Sequence, residues 1–284
     1  MAPVVSSESV PESSSPPVAS AAPAAPTVGV PIPPTVGAPG FDEVFAGVAD
    51  VQGWMTPDQA RLLWDAARAL RAGDQVVEIG SYQGRSTVVL ASAVPEGAVV
   101  VAIDPHAGTD RGPQEISGKE TEAEQDSRVF QENLERAGVR DRVTYLRHWS
   151  QEALTEVDGP IDLLYIDGAH RYAPAKEDID AWGERVAPGG TLLIHDSFSS
   201  IGVTGAILTS LTFSGNWRYV GRAQSMTRYR RESMTSRDRL TSTGRQLAQL
   251  PWFARNVLFK ALITARFKRV AVALGADPTQ DWPY

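Results

Sequence analysis

The chain contains no cysteine, and among its 284 residues it has only four lysines and four histidines. The absence of cysteine excludes a disulfide framework, a thiolate metal site and a cysteine nucleophile. No uninterrupted run reaches the roughly 18 apolar residues that a membrane-spanning helix needs, so none is predicted. Any metal ion must therefore be held by oxygen and imidazole ligands, and the few histidines are the first candidates for acid–base chemistry.

Charge is distributed unevenly along the chain. There are 27 basic and 34 acidic side chains, a net charge of −7. Residues 1–214 carry a net charge of −16, whereas residues 215–284 carry +9. An acidic body argues against nucleic-acid binding, which requires an excess of Lys and Arg. The basic end leaves two partners open, an anionic membrane surface or an acidic protein.

Composition also divides the chain into three segments. Residues 1–40 hold ten of the 20 prolines and only two charged side chains, and we expect this segment to be disordered. It has neither the basic start of a signal peptide nor the arginines of a transit peptide, which predicts a cytoplasmic protein. Residues 41–231 are predicted to form the folded domain, and residues 232–284 a basic helical extension.

Within the folded domain, short apolar strands alternate with longer helices. Thr56, Pro57 and Asp58 predict the start of the first helix. The order of elements predicts an α/β fold, with a Rossmann-like, doubly wound sheet of seven mostly parallel strands that ends in an antiparallel hairpin. The predicted strands are 75–79, 98–103, 142–146, 161–166, 191–194, 217–222 and 225–231, and the predicted later helices are 86–94, 120–137, 174–186 and 202–213.

Polar segments follow the first five strands at the points where the strands end. All four histidines of the chain, His106, His148, His170 and His195, lie in these segments. Ligands of open α/β sheets bind beyond the carboxyl ends of the strands. The sequence therefore predicts one site, assembled at this edge from residues that are distant along the chain.

The turn after the first strand contains an acid and two glycines, Glu78, Gly80 and Gly84. It is not a dinucleotide-binding G-x-G-x-x-G turn, because Tyr82 and Arg85 stand where that pattern needs glycine. The glycines let the backbone approach a ligand closely, and Glu78 can accept a hydrogen bond from a ligand ammonium. These features favour a ligand without a pyrophosphate.

Two further positions extend this prediction. The helix that begins near Ser86 presents its N-terminal N–H groups to the same turn, where they can meet a ligand carboxylate. Asp104 follows the second strand, where a carboxylate can accept both hydroxyls of a ribose. The two strand ends together predict a nucleoside ligand.

Four segments resemble the motifs of class I S-adenosylmethionine-dependent methyltransferases: residues 77–87, 102–104, 161–170 and 188–196. The resemblance covers residues 53–231 and is strongest to a small-molecule O-methyltransferase group that includes bacterial sugar enzymes and is related to catechol-type, metal-dependent enzymes. It implies a methyltransferase domain over residues 41–231, an S-adenosylmethionine cofactor and a homodimer.

The resemblance also implies roles for individual residues. Glu78, Gly80 and Ser81 would line the methionine part of the cofactor, and Asp104 would hold its ribose. Ser150 and Gln151 match a Ser-Gln pair that meets the adenine. The full predicted cofactor set is Glu78, Gly80, Ser81, Gly84, Ser86, Asp104, Ser150, Gln151 and Asp167.

The metal site of the catechol-type enzymes is matched less closely. Asp167 and Asp196 fall on its two carboxylate ligands. Ser197 stands where those enzymes have an asparagine as the third ligand. His170 follows Asp167 by three residues, where that family keeps a catalytic lysine. The resemblance therefore implies a Mg²⁺ site at Asp167, Asp196 and Ser197.

The chemistry of the hydroxyl group gives His170 a function. A sugar or alkyl hydroxyl is a weak nucleophile because it holds its proton tightly, and methyl transfer otherwise needs mainly positioning. His170 is the predicted general base, with His195 as the alternative. Mg²⁺ held by Asp167 and Asp196 would lower the pKa of the hydroxyl, and the two routes are compatible.

The acceptor side of the site is less well defined. His106 and His148 are predicted to contact or orient the acceptor, and the polar stretch 109–124 to form a lid. The aromatic residues near the strand ends are candidates for stacking on a ring, except Trp182, which is predicted to lie in the core. The stacking candidates are Trp149, Tyr172 and Phe198.

Residues 252–274 mix apolar and basic side chains. The basic residues do not collect on one face of a helical wheel, which favours packing on the body or on a second subunit. Peripheral contact with the inner face of the membrane is the alternative.

The predicted function is S-adenosylmethionine-dependent O-methylation of a small molecule, with a sugar or glycoside as the preferred acceptor. The first alternative is a phenolic or polyketide O-methyltransferase of the catechol type. The second is a non-catalytic protein that binds S-adenosylmethionine, although such a binder does not need His170 and Asp196 beside Asp167.

Overall fold

The computed structural model describes residues 39–108 and 120–276. Most of the segment predicted to be disordered, and residues 109–119 of the predicted lid, lie outside the described residues. The elements are α1 (Phe41–Gly47), α2 (Pro57–Arg68), β1 (Gln75–Ile79), α3 (Arg85–Ala93), β2 (Val99–Ile103), α4 (Glu120–Arg136), β3 (Val143–Leu146), α5 (Ser150–Ala153), β4 (Ile161–Ile166), α6 (Tyr172–Gly183), β5 (Val186–Ile194), α7 (Ile201–Ser210), β6 (Trp217–Ala223), β7 (Met226–Arg231), α8 (Ser236–Leu247), α9 (Leu250–Thr264) and α10 (Lys268–Ala273).

The seven strands form one sheet in the order β3-β2-β1-β4-β5-β7-β6. Strands β1 to β5 are parallel, and β7 lies antiparallel between β5 and β6. This arrangement confirms the predicted Rossmann-like sheet with its terminal hairpin. The chain winds outward from β1 in one direction and continues from β4 in the other, so the carboxyl ends of β1 and β4 flank the crevice where such sheets bind ligands.

The core consists of two apolar layers, one on each face of the sheet. Neighbouring residues of β1 alternate between them: Val76 packs with the layer under α1 to α4, and Val77 with the layer under α5 to α7. Both side chains are fully buried. Because side chains alternate along a strand, Glu78 points to the same face as Val76, toward α3.

A local sequence signal explains the start of α2, whereas the start of β5 has none. Thr56 caps α2 in a reciprocal capping box with Gln59, and Pro57 occupies the first turn, as predicted. Strand β5 begins five residues before the predicted start at residue 191. Pro188, Gly189 and Gly190 interrupt its apolar pattern, and the register shifts where β5 pairs with β4.

The C-terminal extension packs on the sheet and contributes to the same compact unit. In α8, Ser242 Oγ accepts a hydrogen bond from the Tyr219 backbone N–H at 2.9 Å. Gln246 Oε1 accepts bonds from Thr212 and Tyr229 at 3.1 and 3.2 Å. The predicted boundary at residue 231 therefore marks a change in composition and not a break in packing.

The described helices include none that is both long enough and apolar enough to cross a membrane.

Candidate active site

A cavity of about 680 Å³ opens at the carboxyl ends of the strands. Its size suits a small-molecule ligand. The turns after β1, β2 and β4 form its walls, together with α5 and the segment 52–55 that precedes α2. Seven residues of the predicted cofactor set line it: Gly80, Ser81, Ser86, Asp104, Ser150, Gln151 and Asp167.

The turn after β1 requires glycine at position 80. Gly80 has a φ of +87°, and a Cβ atom there would lie 2.2 Å from the backbone oxygen of Asp167. The ends of β1 and β4 can therefore approach each other only without a side chain at this position. The neighbouring Ser81 hydroxyl is buried, lines the cavity and has no hydrogen-bond partner among the described residues, so it can bind a ligand.

Glu78 lies behind the cavity and does not line it. Its carboxylate is completely buried and accepts hydrogen bonds from the hydroxyls of Ser86 and Thr87 at the start of α3. Burial raises the pKa of Glu78 from 4.5 to about 7, against the effect of those two hydroxyls. Glu78 thus supports the turn through the start of α3, and its predicted contact with the methionine part of a cofactor stays a prediction.

This buried carboxyl predicts a pH dependence of stability. The folded protein holds the Glu78 proton up to about pH 7, whereas the unfolded chain releases it near pH 4.5. We therefore expect the free energy of unfolding to fall by about 3 kcal/mol from this group between pH 4.5 and 7. Urea unfolding of Glu78→Gln across this range should lack that decrease. Glu96→Gln, at an exposed position, is the control and should retain it.

Asp104 joins the turns after β1 and β2. One carboxylate oxygen accepts the N–H of Tyr82 and the other accepts the N–H of His106, each at 2.8 Å. The His106 ring lies 2.7 Å from the Tyr82 carbonyl and 2.6 Å from the Tyr145 hydroxyl, so it orients this half of the site. Each Asp104 oxygen can accept one further hydrogen bond, which is what two ribose hydroxyls would donate.

Asp178 is a site residue that the sequence reasoning missed. It lies on α6, lines the cavity, and accepts hydrogen bonds from Ser150 Oγ at 2.5 Å and Gln151 Nε2 at 3.0 Å. Burial raises its pKa to about 6. A signal was present, because Asp178 shares the apolar side of α6 with Ile179 and Trp182.

Three groups that could bind a cation or move a proton converge after β4 and β5. Each of Asp167, His170 and Asp196 offers one side-chain atom that could ligate a metal, and these three atoms lie within 4.8 Å of one another. His170 Nε2 lies 2.8 Å from Asp196 Oδ2. Asp167 also accepts a hydrogen bond from the Tyr165 hydroxyl at 2.8 Å. Asp167 and His170 line the cavity, so the cluster borders the space where a ligand would bind.

His195 lies beside both carboxylates of this cluster. Its Nδ1 is 3.1 Å from Asp167 and 3.4 Å from Asp196. Burial alone would lower the pKa of His195, but the two carboxylates outweigh burial and raise it well above the usual range. Burial opposes ionisation of Asp196, but His195 and then His170 hold the Asp196 pKa far below its ordinary value.

The expectation for Ser197 as a metal ligand needs correction. Its side chain is completely buried, donates to the Ile194 carbonyl at 2.8 Å and lies 2.7 Å from the Thr227 hydroxyl of β7. The backbone takes positive φ values at Asp196 and Phe198, on either side of Ser197. This conformation directs Ser197 into the sheet, and His170 occupies the third place beside the two aspartates.

The other residues predicted to contact the acceptor do not all line the cavity. His148 lies near Glu152 and Glu156, at 3.9 and 3.3 Å, and is not part of the cavity wall. Phe198 is completely buried and has no face for stacking, and Trp182 is in the core as predicted. Tyr172 is exposed, and so is Trp149, which lines the cavity.

The segment 52–55 adds an aromatic wall that was not predicted. Trp54 is half exposed and stacks on the Tyr82 ring, with the ring centroids 6.2 Å apart. Arg85 donates to the Gly53 carbonyl at 2.8 Å and holds this segment beside α3. Both aromatic residues line the cavity.

The extension also supports the loop that carries Asp196. In α9, Asn256 donates to the Phe198 carbonyl at 3.1 Å, and Lys260 Nζ donates to the Ser199 carbonyl at 2.8 Å. The sequence alone gave no sign that helix α9 reaches this loop.

Comparison with known proteins agrees with this geometry. Residues 77–197 match the profile of a methyltransferase domain family. Over 127 residues the chain is 28% identical to the uncharacterized protein y4gI of Sinorhizobium fredii. The aligned residues make up 43% of this chain but only 13% of that much longer protein.

Two solved structures share the fold. The O-methyltransferase NovP aligns with a TM-score of 0.51 at 15% identity, over 63% of this chain and 83% of its own. A protein from Corynebacterium glutamicum aligns with a TM-score of 0.52 at 13% identity, over 69% and 91%. These two structures show the fold alone, whereas the family profile covers the strand-end motifs and supports the methyltransferase resemblance. Residues 77–197 of this chain therefore match a methyltransferase domain, on the Rossmann-like fold that these two structures share.

Proposed function

We propose that this protein transfers the methyl group of S-adenosylmethionine to a hydroxyl group of a small molecule, and that the acceptor is a sugar or glycoside. One observation carries the proposal: the cluster of Asp167, His170 and Asp196 borders the same cavity as the predicted cofactor residues. In-line methyl transfer needs donor and acceptor held together, and a shared cavity meets that need.

The cofactor half of the cavity fits S-adenosylmethionine on three points. Ser81 offers a buried hydroxyl that has no partner among the described residues. Asp104 can accept two ribose hydroxyls, and the Ser150–Gln151 pair is held in place by Asp178. The bound cofactor would supply the electrophilic methyl group. This protein's own part is to hold the ribose and the adenine so that the methyl group faces the acceptor.

Asp104→Asn tests the cofactor assignment. The amide cannot accept hydrogen bonds at both side-chain atoms, so it loses a ribose contact and one backbone bond. We expect the affinity for S-adenosylhomocysteine, measured by calorimetry, to fall on the order of 100-fold. Asp74→Asn is the control, because Asp74 accepts a backbone bond from Arg71 in an exposed turn. Unchanged affinity in Asp104→Asn would contradict the assignment.

In the acceptor half, we propose His170 as the general base. Its Nε2 lies 2.8 Å from Asp196, whose carboxylate orients the ring and would stabilise the imidazolium once the ring accepts the hydroxyl proton. His195 is the alternative base. Its side chain is only 6% exposed and lies between two carboxylates, so an acceptor hydroxyl reaches it less easily.

The same cluster fits a divalent cation. Two carboxylates and one imidazole, with ligand atoms within 4.8 Å, form a donor set that Mg²⁺ or a transition metal accepts. Asp167, Asp196 and His170 would hold the ion, and it would lower the pKa of the acceptor hydroxyl. His170 cannot then use the same nitrogen to take the proton, so the base and metal hypotheses make different predictions.

His170→Ala and metal removal together separate these hypotheses. If His170 is the base, we expect kcat to fall on the order of 100-fold and turnover to survive chelation with EDTA. If a metal is required, EDTA should abolish turnover and added Mg²⁺ should restore it. The control is Asp104→Asn, whose loss should appear in cofactor affinity instead. Full kcat in His170→Ala, with no effect of EDTA, would contradict both hypotheses.

The acceptor itself requires a direct screen. The carboxylate and histidine groups beside the cavity favour a polar sugar, whereas Trp54 and Trp149 can stack on either a sugar or a phenol. We therefore suggest incubating the protein with S-adenosylmethionine and panels of sugars, glycosides and phenols, followed by mass spectrometry. A product among the phenols only would favour the catechol-type alternative. Cofactor binding without any product would favour the non-catalytic one.

The resemblance also leads us to propose a homodimer. Sedimentation velocity of the full chain measures this directly.

A further inference from the structure

The end of α9 and the start of α10 form a surface that is both basic and apolar. We call it the basic tip and define it by Arg266, Phe267, Lys268, Arg269 and Val270. All five side chains are exposed, Phe267 by 58% and Val270 by 46%. Exposed apolar side chains within a cluster of one charge sign are typical of an interaction surface.

The sequence near the basic tip contains basic but no acidic residues. No acidic residue lies between Asp238 and Asp277, whereas this stretch contains seven basic residues. Within the described part of the chain, the basic side chains of the tip form no salt bridge. The positive charge is therefore not neutralised by described neighbours. The basic residues in this acid-free stretch are Arg239, Arg245, Arg255, Lys260, Arg266, Lys268 and Arg269.

The chain reverses between α9 and α10, where the Phe267 N–H donates to the Leu262 carbonyl at 2.7 Å. Ala271 is buried with Phe259, and Arg255 donates to the Gly275 carbonyl at 2.8 Å. The tip is thus held by contacts on its inner side. This turn therefore carries three basic and two apolar side chains, all exposed, within five consecutive residues.

We propose that the basic tip docks on the anionic surface of a lipid bilayer. Basic side chains near such a surface are attracted to its lipid headgroups, and exposed apolar side chains can enter the headgroup region. Phe267 and Val270 alternate with Arg266, Lys268 and Arg269 in sequence, so both kinds of contact form over one small surface. An acidic protein would pair with the basic side chains, but it provides no defined apolar groove for Phe267 and Val270.

The charge of the whole chain would orient this docking. Residues 1–214 carry −16 and residues 215–284 carry +9, so an anionic bilayer repels the first part of the chain and attracts its C-terminal part. Helix α9 connects the tip to the loop after Asp196 through Asn256. From Asn256 to the end of α9 at Thr264 is about 12 Å along the helix axis. Docking therefore keeps the candidate active site within a short distance of the bilayer, independently of which acceptor it uses.

Vesicle co-sedimentation of the full chain tests this proposal. We expect binding to vesicles that mix phosphatidylglycerol with phosphatidylcholine, weaker binding in high salt, and no binding to phosphatidylcholine alone. Lys268→Glu with Arg269→Glu should weaken binding on the order of 100-fold. The matched control, Arg237→Glu with Arg239→Glu, makes the same charge change at exposed positions of α8 and should bind nearly as well as the wild type.

A second variant tests the apolar contribution without changing charge. Phe267→Ser with Val270→Ser should also weaken vesicle binding, and unchanged affinity for S-adenosylhomocysteine would show that the variant is folded. Equal losses in the tip and control charge variants would overturn the proposal in favour of non-specific attraction. Absence of wild-type binding would overturn it as well. A dimer that dissociates in the serine variant, without vesicle binding, would instead identify the tip as an interface between two copies.

Discussion

Asp196→Asn is expected to lower kcat on the order of 100-fold, as His170→Ala does, while leaving the affinity for S-adenosylhomocysteine unchanged. Asp196 contacts His170 at 2.8 Å and His195 at 3.4 Å, so it orients the proposed base and balances the charge of both rings. The asparagine has nearly the same shape but no negative charge. The proposed base loses its stabilising partner, and a cation in the cluster loses a ligand. Single-turnover and steady-state rates at saturating cofactor measure the effect.

The control for this substitution is Asp158→Asn, at an exposed position outside the cavity. It removes one negative charge from the same acidic body and should leave kcat unchanged. If Asp196→Asn also retained most of its turnover, neither the base nor the metal hypothesis could hold, because both depend on this carboxylate.

Gly80→Ala has the largest expected effect on folding. A Cβ atom at position 80 would lie 2.2 Å from the Asp167 backbone oxygen and 2.8 Å from the Gly168 nitrogen. These are backbone atoms at the end of β4, so they cannot move aside without separating β4 from β1. We expect a loss of at least about 4 kcal/mol in the free energy of unfolding, together with loss of cofactor binding. Urea unfolding and calorimetry with S-adenosylhomocysteine measure the two effects.

Gly73→Ala provides a matched control for this substitution. Gly73 has a φ of +89°, close to the +87° of Gly80, but among the described residues no atom beyond its two chain neighbours lies within 4 Å of a Cβ built there. Its cost should therefore be limited to the left-handed backbone conformation, about 1–2 kcal/mol. Similar losses at the two positions would show that backbone strain, and not contact with β4, explains the need for glycine at position 80.

The sheet could be predicted from the sequence because its signals are local. Apolar runs such as 161–166 indicate buried strands, and Thr56 and Pro57 mark a helix start by their own hydrogen-bonding and dihedral preferences. The strand-end motifs then follow, since parallel strands bring their carboxyl ends to one edge. Strand β5 was only partly predicted, because Pro188 and the two glycines after it hide its first half from a pattern based on apolar residues.

Side-chain directions within the site could not be predicted in the same way. Glu78 points toward α3 and Ser197 toward β7, although both stand in motifs that suggested ligand contacts. His170 joins Asp196 across 26 residues of sequence, and this contact depends on how the turns after β4 and β5 pack together. Such contacts result from the whole fold and leave no periodic signal.

The sequence by itself therefore determined the fold class, the location of the ligand edge and seven of the cofactor residues that line the cavity. Local propensity and strand topology are sufficient for these properties. Only the tertiary structure decided that Asp178 orients the Ser150–Gln151 pair, and that His170 lies beside Asp167 and Asp196 while Ser197 points into the sheet. It also showed that Arg266, Lys268 and Arg269 are exposed together with Phe267 and Val270 at the turn between α9 and α10. These outcomes depend on backbone reversals and on packing between distant segments, which bring together side chains that no local pattern connects.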